Sequence, residues 1–468
     1  MLSRRAVMMG ALAVGVVPAA RAQSVPAGST GASPAAPTIL QLLRQTIVVN
    51  GKPASVFAIR QPDGTAGITT DVGKQFRVRV ENKINEPSLI HWHGLTPPWQ
   101  QDGVPGISGP PIPPGGSADY DFPLRFGGTF WMHSHQGLQE QLLMAAPLII
   151  RDQRDRPDQQ EVVVMLADFS FTPPQQIFDE LKKSKKMAGM GAPGAAAAAP
   201  DLNDVKYDAF LANDRTLADP EVVKVEPGAQ VLLRIINSSS MSAYHIDLGQ
   251  LEGELIAVDG FLVTPITGRS FPVAVAQRLD IRVGIPRDSG AYPILARLEG
   301  ARNQTGIMLV AGKAPVARGP ELAETTSPAL TLDLESRLRA ANPLKARTAD
   351  RIHTLNLTGD MATYSWSINN VVWNPNVPPL PIAKGERVEL VLVNKTPMPH
   401  PMHLHGHEFQ VVEIDGKRFP GAVRDTIMVT PGRRVVVAFD ANNPGWWAFH
   451  CHLLYHLDAG MFTTFRYV

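Results

Sequence analysis

Gly73-Lys-Gln-Phe-Arg-Val-Arg-Val-Glu-Asn82, Gly228-Ala-Gln-Val-Leu-Leu-Arg-Ile-Ile-Asn237 and Gly385-Glu-Arg-Val-Glu-Leu-Val-Leu-Val-Asn394 are three versions of one phrase. Each runs nine positions from Gly to Asn, and the glycines lie 155 and 157 residues apart. Apolar side chains alternate in register: Phe76, Val78 and Val80; Val231, Leu233 and Ile235; Val388, Leu390 and Leu392. A period of two marks a half-buried β-strand. A repeat this long is no solenoid unit, so it reads as three copies of one β-domain. The 468 residues accommodate three domains of about 150 residues each. Pro (41) and Gly (39) are abundant without a collagen-like period, which fits an all-β chain rich in turns.

The flanks divide accordingly. Residues 39–155, 156–311 and 351–468 form the three domains, and 312–350 links the second to the third. Residues 182–200, with Met187 and Met190, are of low complexity and read as a disordered loop. Residues 1–22 read as an export signal: Arg4 and Arg5 precede an apolar run that ends at Ala20-Arg-Ala22. The paired arginines favour the twin-arginine route over an ordinary secretory signal, followed by a flexible leader at 23–38. No later segment offers the ~18 uncharged apolar residues of a membrane span. The expectation is a soluble periplasmic monomer. A formal net charge of +1 gives no support to a nucleic-acid partner.

Eight of the 13 histidines fall in four His-x-His pairs. Steps of +9 and +11 from Asn82 reach His91 and His93; the same steps from Asn394 reach His403 and His405. Steps of +19 and +21 from Pro114 reach His133 and His135, and from Pro431 they reach His450 and His452. The middle copy has Ile246 and Leu248 at the first pair of positions, so the outer copies carry the chemistry. On a strand, residues i and i+2 share a face, and each pair can turn two imidazoles toward one site. Imidazole suits copper, zinc, iron and nickel. Packing explains one such pair easily and four matched pairs poorly. The single cysteine, Cys451, excludes an intramolecular disulfide. With His400, His456 and Met461 it completes a His2Cys set with a weak axial thioether, the signature of an electron-transfer copper.

His91-Trp-His-Gly, His133-Ser-His, His400-Pro-Met-His-Leu-His-Gly and His450-Cys-His-Leu-Leu-Tyr-His-Leu-Asp-Ala-Gly-Met461 resemble the four copper motifs of the multicopper oxidases. The resemblance implies three consecutive cupredoxin-like Greek-key β-sandwiches and four copper ions per chain. It implies type 1 ligands His400, Cys451, His456 and Met461, and type 2 ligands His91 and His403. It gives one type 3 ion His93, His133 and His452, and the other His135, His405 and His450. Cys451, His450 and His452 would carry electrons to the three-metal site, where O2 is reduced to water. Asp102 resembles the acid that tunes the type 2 region; its plain alternative is a turn Asp before Gly. Asp425 falls in a segment that the family places near the type 1 site, as a receiver of substrate or metal ion or as a structural carboxylate.

Leu457 stands where some bacterial members have glutamate, which leaves Asp458 as a substitute proton group. Met461 implies a low-to-medium potential. His407 reads as a neighbour that supports the third motif, and His245 and His353 as ordinary histidines. The leading expectation for the reductant is a phenol or aromatic amine, as for laccases. The alternative is Cu(I) or another metal ion, with Met398, Met402 and Met428 near the type 1 motifs. A copper carrier or non-catalytic relative is disfavoured because a carrier needs no three-metal site.

Overall fold

In a computed structural model, residues 36–156, 158–188, 202–316 and 318–468 are described. The export signal and most of the leader lie outside them. Residues 37–468 form one compact unit built of three two-sheet sandwiches.

The repeated phrase sits at the same place in each sandwich. Gln75–Asn82, Gln230–Asn237 and Arg387–Asn394 each pair in parallel with the strand that opens their own sandwich: Thr38–Val49, Gln159–Phe169 and Arg351–Asp360. Each pairs antiparallel on its other edge, with Ser117–Pro123, Arg278–Gly284 and Arg434–Asp440. The leading glycines have φ of +82°, +80° and +89°, a left-handed turn that glycine adopts without strain. The closing asparagines all do one job. Asn82 Nδ2 donates to Glu86 O (2.9 Å) and Ile112 O (2.8 Å), and Asn394 Nδ2 to Met398 O (2.7 Å) and Val429 O (2.8 Å). Asn237 repeats this with Ser242 O and Val273 O. Each clasp ties the strand to the loop leading into the second sheet, where the outer copies carry their first His-x-His pair.

Half-burial holds only in the first copy, where Phe76, Val78 and Val80 alternate with more exposed residues. The middle strand is buried on both faces beyond Gln230. Its Arg234 Nη1 donates to Thr129 Oγ1 of the first sandwich at 2.9 Å and to Asp280 Oδ2 at 3.3 Å, so the polar face is covered by a neighbouring domain. A strand that meets another sandwich is buried twice, which alternation within one sequence cannot reveal.

The helix Pro174–Ala188 runs through the first part of the segment read as disordered. Lys and Ala are good helix formers, and the buried Ile177, Phe178 and Leu181 anchor its start to the core. Residues 189–201, with Met190, lie outside the described residues. The 312–350 stretch contains one short helix, Asp333–Arg337.

Glu299 pins that stretch to the middle sandwich, its Oε1 accepting the Leu330 N–H at 2.6 Å. Burial pushes its carboxyl up from 4.5 to about 7. A raised carboxyl pKa favours the folded state fully below the unfolded value, and that preference is lost as pH rises through the folded one. Glu299→Gln is therefore expected to gain on the order of 2 kcal/mol over wild type between pH 5 and pH 8. Denaturant midpoints at the two pH values check this.

Candidate metal centres

Two antiparallel ladders carry the four His-x-His pairs. Ile90–His93 lies against Gly128–Ser134 and sets His91 opposite His133. His400–Leu404 lies against Trp446–Cys451 and sets His403 opposite His450, with Met402 opposite Cys451. Pairs that overrun a strand end are held by their backbones: His135 N–H donates to Leu89 O (3.0 Å), His405 N–H to Ala448 O (3.0 Å) and His452 N–H to Pro401 O (2.7 Å). The outer sandwiches thus bring eight histidines into one nest, seven of them buried and His135 half-buried.

Within the nest the ring nitrogens divide into two sets. One set is tied to oxygen. His91 Nδ1 donates to Asp102 O (2.8 Å), His403 Nδ1 to Asp425 O (2.9 Å), His405 Nδ1 to Asp102 Oδ2 (2.8 Å), His93 Nε2 to Asp425 Oδ1 (3.0 Å) and His450 Nδ1 to Cys451 O (2.9 Å). The other set faces inward. His91 Nε2 and His403 Nε2 stand 3.4 Å apart, and His405 Nε2 and His450 Nε2 2.9 Å. The nitrogens His93 Nδ1, His133 Nε2, His135 Nε2 and His452 Nε2 are buried with no hydrogen-bond partner among the described residues. A bare buried acceptor costs on the order of 1–3 kcal/mol, and lone pairs aimed at one another repel. A metal cation resolves both problems, and hydrogen bonding of the far nitrogen is how a ligand imidazole is oriented. Burial, and then mutual repulsion, hold His133, His135, His405, His450 and His452 well below the usual imidazole range. They are neutral donors at neutral pH, the form that binds metal.

The cysteine centre lies on the opposite face of the same strand, since His450 and Cys451 are consecutive. Cys451 Sγ is 3.5 Å from His400 Nδ1 and 4.0 Å from His456 Nδ1, and the two nitrogens are 3.3 Å apart. Donors bound about 2.0–2.3 Å from one ion stand roughly 3.3–3.8 Å apart at tetrahedral to trigonal angles, so the three atoms have near-ligand spacing. His400 Nε2 donates to Thr396 Oγ1 (2.7 Å), and His456 stacks on Trp366 with centroids 3.9 Å apart. Buried Met461 is fixed beside them: its N–H donates to His456 O (3.0 Å) and its carbonyl accepts from Cys451 N–H (3.1 Å). Burial pushes the Cys451 thiol up; a bound metal supplies the charge that a thiolate needs.

Three acids brace the nest. Asp102 is buried, and its Oδ2 accepts His405 Nδ1. The resemblance sets Asp425 beside the cysteine centre. In the structure it lies instead on the nest, against His93 and His403, because Thr426–Val429 pairs with His400–Leu404 so that Thr426 faces His403. The Arg278 guanidinium is the strongest influence opposing the burial of Asp425, and holds its carboxyl well below the usual range. Glu140, which the sequence did not single out, sits on the remaining side, Oε2 2.8 Å from His133 Nδ1 and Oε1 3.9 Å from His452 Nδ1. Burial, then the Asp168 carboxylate, push its carboxyl well above the usual range. It lies five residues beyond His135 in Gln139-Glu-Gln141, a spacing no repeat register marks. Asp458, by contrast, is exposed.

His407 supports the third motif as expected: its Nδ1 donates to His405 O (3.1 Å) and its Nε2 accepts from Tyr467 Oη (2.7 Å). His245 and His353 bond to Pro328 O and Pro381 O, away from the nest. The middle sandwich supplies no histidine to either centre. It does supply Asp204, whose Oδ2 accepts His456 Nε2 at 3.1 Å and Tyr364 Oη at 2.9 Å.

Three β-sandwiches with a thiolate–imidazole centre joined by one strand to an imidazole nest define a copper oxidoreductase. Multicopper oxidase family models match residues 43–155, 160–312 and 347–468. The multicopper oxidase MmcO of Mycobacterium tuberculosis is 31% identical over 86% of this chain and 81% of its own length. The copper resistance protein A homolog of Pseudomonas syringae pv. tomato is 28% identical over 84% and 86%. The crystal structure of Fet3p, described as a multicopper oxidase that functions in iron import, superposes with a TM-score of 0.79. It is 21% identical and covers 92% of this chain and 90% of that one, a likeness of fold. The chain belongs to the multicopper oxidases. It is an oxidase that binds copper and uses a reducing substrate and O2. Among the described residues no helix is long and apolar enough to cross a membrane.

Removing the Glu140 carboxyl frees the His133 ring while leaving Cys451 and its partners untouched. Glu140→Ala is expected to weaken copper retention in the nest about 10–100-fold with the Cys451 absorption band unchanged. Competitive titration with a copper chelator checks this.

Proposed function

We propose that this enzyme holds four copper ions and couples four one-electron oxidations to the reduction of O2, with four protons, to two waters. His400, Cys451, His456 and Met461 take the type 1 ion and His91 with His403 the type 2 ion. His93, His133 and His452 take one type 3 ion, and His135, His405 and His450 the other. The observation that carries this assignment is the division of ring nitrogens: in each of these ten histidines a nitrogen is bare or faces another ligand atom at about ligand spacing. The bound coppers supply one-electron redox chemistry and the binding of O2.

The protein's part is wiring and positioning. An electron that enters at His400 or His456 reaches Cys451, whose covalent neighbours are His450 and His452. The His450 Nδ1 bond to Cys451 O is a second, shorter link across the same residue. Asp102 holds His405, and its Oδ1, 3.3 Å from His91 Nδ1, makes no hydrogen bond among the described residues. That oxygen is the group placed to hold a proton beside the nest. The domains run 39–155, 156–311 and 351–468. Residues 1–22 direct export by the twin-arginine route to the periplasm, where the mature protein works as a monomer.

Two reductants fit the family, a phenol or aromatic amine and a cuprous ion. One feature favours the second. A cavity of about 20 Å³, room for roughly one water-sized body, is lined by Met241, Met398, Met428, Asp204 and Glu299. Thioethers select Cu(I), carboxylates supply charge, and Asp204 also bonds His456. Steady-state oxygen uptake with Cu(I), and with a phenol in the presence and absence of added Cu(II), separates the two. Cuprous oxidation that falls at least about tenfold in Met428→Leu while phenol turnover persists supports the cuprous reading; unchanged cuprous kinetics contradict it.

Cys451→Ser is expected to lose the blue absorption and all oxygen uptake. Met461→Leu is expected to keep the colour and raise the type 1 potential, since the weak axial donor that favours the oxidised ion is gone. Absorption spectra and redox titration check both.

A further inference from the structure

Asp102 and Asp425 form a crossed pair. Each gives its backbone carbonyl to a histidine of its own sandwich, His91 or His403, and its carboxylate to a histidine of the other, His405 or His93. The two acids occupy related places around the nest, yet they are not equal. Asp102 leaves one oxygen without a hydrogen bond among the described residues. Asp425 is gripped by a cation from the middle sandwich, the domain without copper ligands.

That cation is Arg278, the first residue of the strand Arg278–Gly284 and fully buried. A guanidinium has five N–H donors, and all five have acceptors here. Nε donates to Thr129 O (3.2 Å), Nη1 to Asp425 Oδ1 (2.8 Å) and Ala276 O (2.9 Å), and Nη2 to Asp259 O (3.1 Å) and Asp425 Oδ2. One side chain therefore joins the first sandwich through Thr129, the second through Ala276 and Asp259, and the third through Asp425. The grip on Asp425 is bidentate, which fixes the plane of the carboxylate. In that plane Oδ1 also receives His93 Nε2 at 3.0 Å and Thr426 Oγ1 at 2.8 Å. The space is filled: a Cβ on Gly94, φ +87°, would stand 2.6 Å from Asp425 Oδ2 and 2.7 Å from Arg278 Nη2. The glycine that closes His91-Trp-His-Gly thus makes room for this ion pair.

We propose that Arg278 is a positioning residue for the three-copper site: by locking the Asp425 carboxylate it sets the ring plane of His93. It makes the two aspartates unequal, Asp425 a fixed brace and Asp102 the acid with an oxygen left over. The middle sandwich is then part of the oxygen-reducing machinery at one remove. This inference rests on the copper assignment proposed above, and the type 1 band serves as its internal control.

The test uses the full-length, copper-loaded protein with Arg278→Met, Arg278→Lys and Asp425→Asn. Copper per chain, the type 1 absorption, the near-ultraviolet absorption of the type 3 pair and copper release to a chelator are measured together. Arg278→Met is expected to release nest copper about 10–100-fold faster with the type 1 band intact. Arg278→Lys keeps the charge but has three donors for five acceptors. It is expected to retain its copper and to show a shifted type 3 absorption, since His93 is a type 3 ligand. Asp425→Asn is expected to match Arg278→Met. If the methionine variant does not accumulate folded, the lysine spectrum carries the test. Wild-type spectra and release rates in the lysine and methionine variants overturn the proposal. So does parallel loss of type 1 and nest copper, which marks a purely structural role. A wild-type protein that loads no copper in the nest overturns the assignment beneath it instead.

Discussion

Imidazole nitrogens that point at one another are the constraint on which this structure turns. Two pairs of ring nitrogens meet at 3.4 and 2.9 Å, and four more are buried without a hydrogen-bond partner among the described residues. Burial and mutual repulsion hold His133, His405 and His450 well below the usual imidazole range, so protonation does not relieve the crowding at these rings. Only cations at the centre make the arrangement favourable. The rest of the fold holds the rings facing inward against that repulsion, through ladder pairing, carbonyl acceptors and three buried acids.

Internal repetition is the means. The same Gly-to-Asn strand appears in each sandwich, and the same asparagine clasp ties it to the loop entering the second sheet. In the outer two copies that sheet delivers histidines, so duplication yields two half-sites related by a common plan. The middle copy has Ile246 and Leu248 in place of the first histidine pair but keeps its structural role. Through Arg278 it braces the nest, and through Asp204 it touches the cysteine centre. Consecutive placement of His450, Cys451 and His452 on one strand end then connects the centres without further machinery.

The repeat, the all-β class and the four His-x-His pairs were legible in the sequence because each follows a fixed spacing within one copy: alternation along a strand, or a constant step from Asn82 and Asn394 or from Pro114 and Pro431. What escaped reading depends on contacts between copies. Asp425 belongs to the nest and not to the cysteine centre because of a ladder register, His403 against Thr426, that only pairing reveals. Glu140 lies on a short helical turn whose direction no period predicts. Arg278 and Asp204 come from the copy whose own sequence advertises no chemistry. The Lys-rich start of the 182–200 segment reads as disordered by composition, while the apolar face that precedes it anchors a helix through Ala188.

Anomalous diffraction at the copper edge, from crystals of copper-loaded protein, tests the central claim most directly. The account predicts three copper peaks inside the eight-histidine nest and a fourth beside Cys451 Sγ, with His93 ligating through Nδ1 and the other seven nest histidines through Nε2. A loaded crystal with copper beside Cys451 and none, or a single ion, in the nest would contradict it.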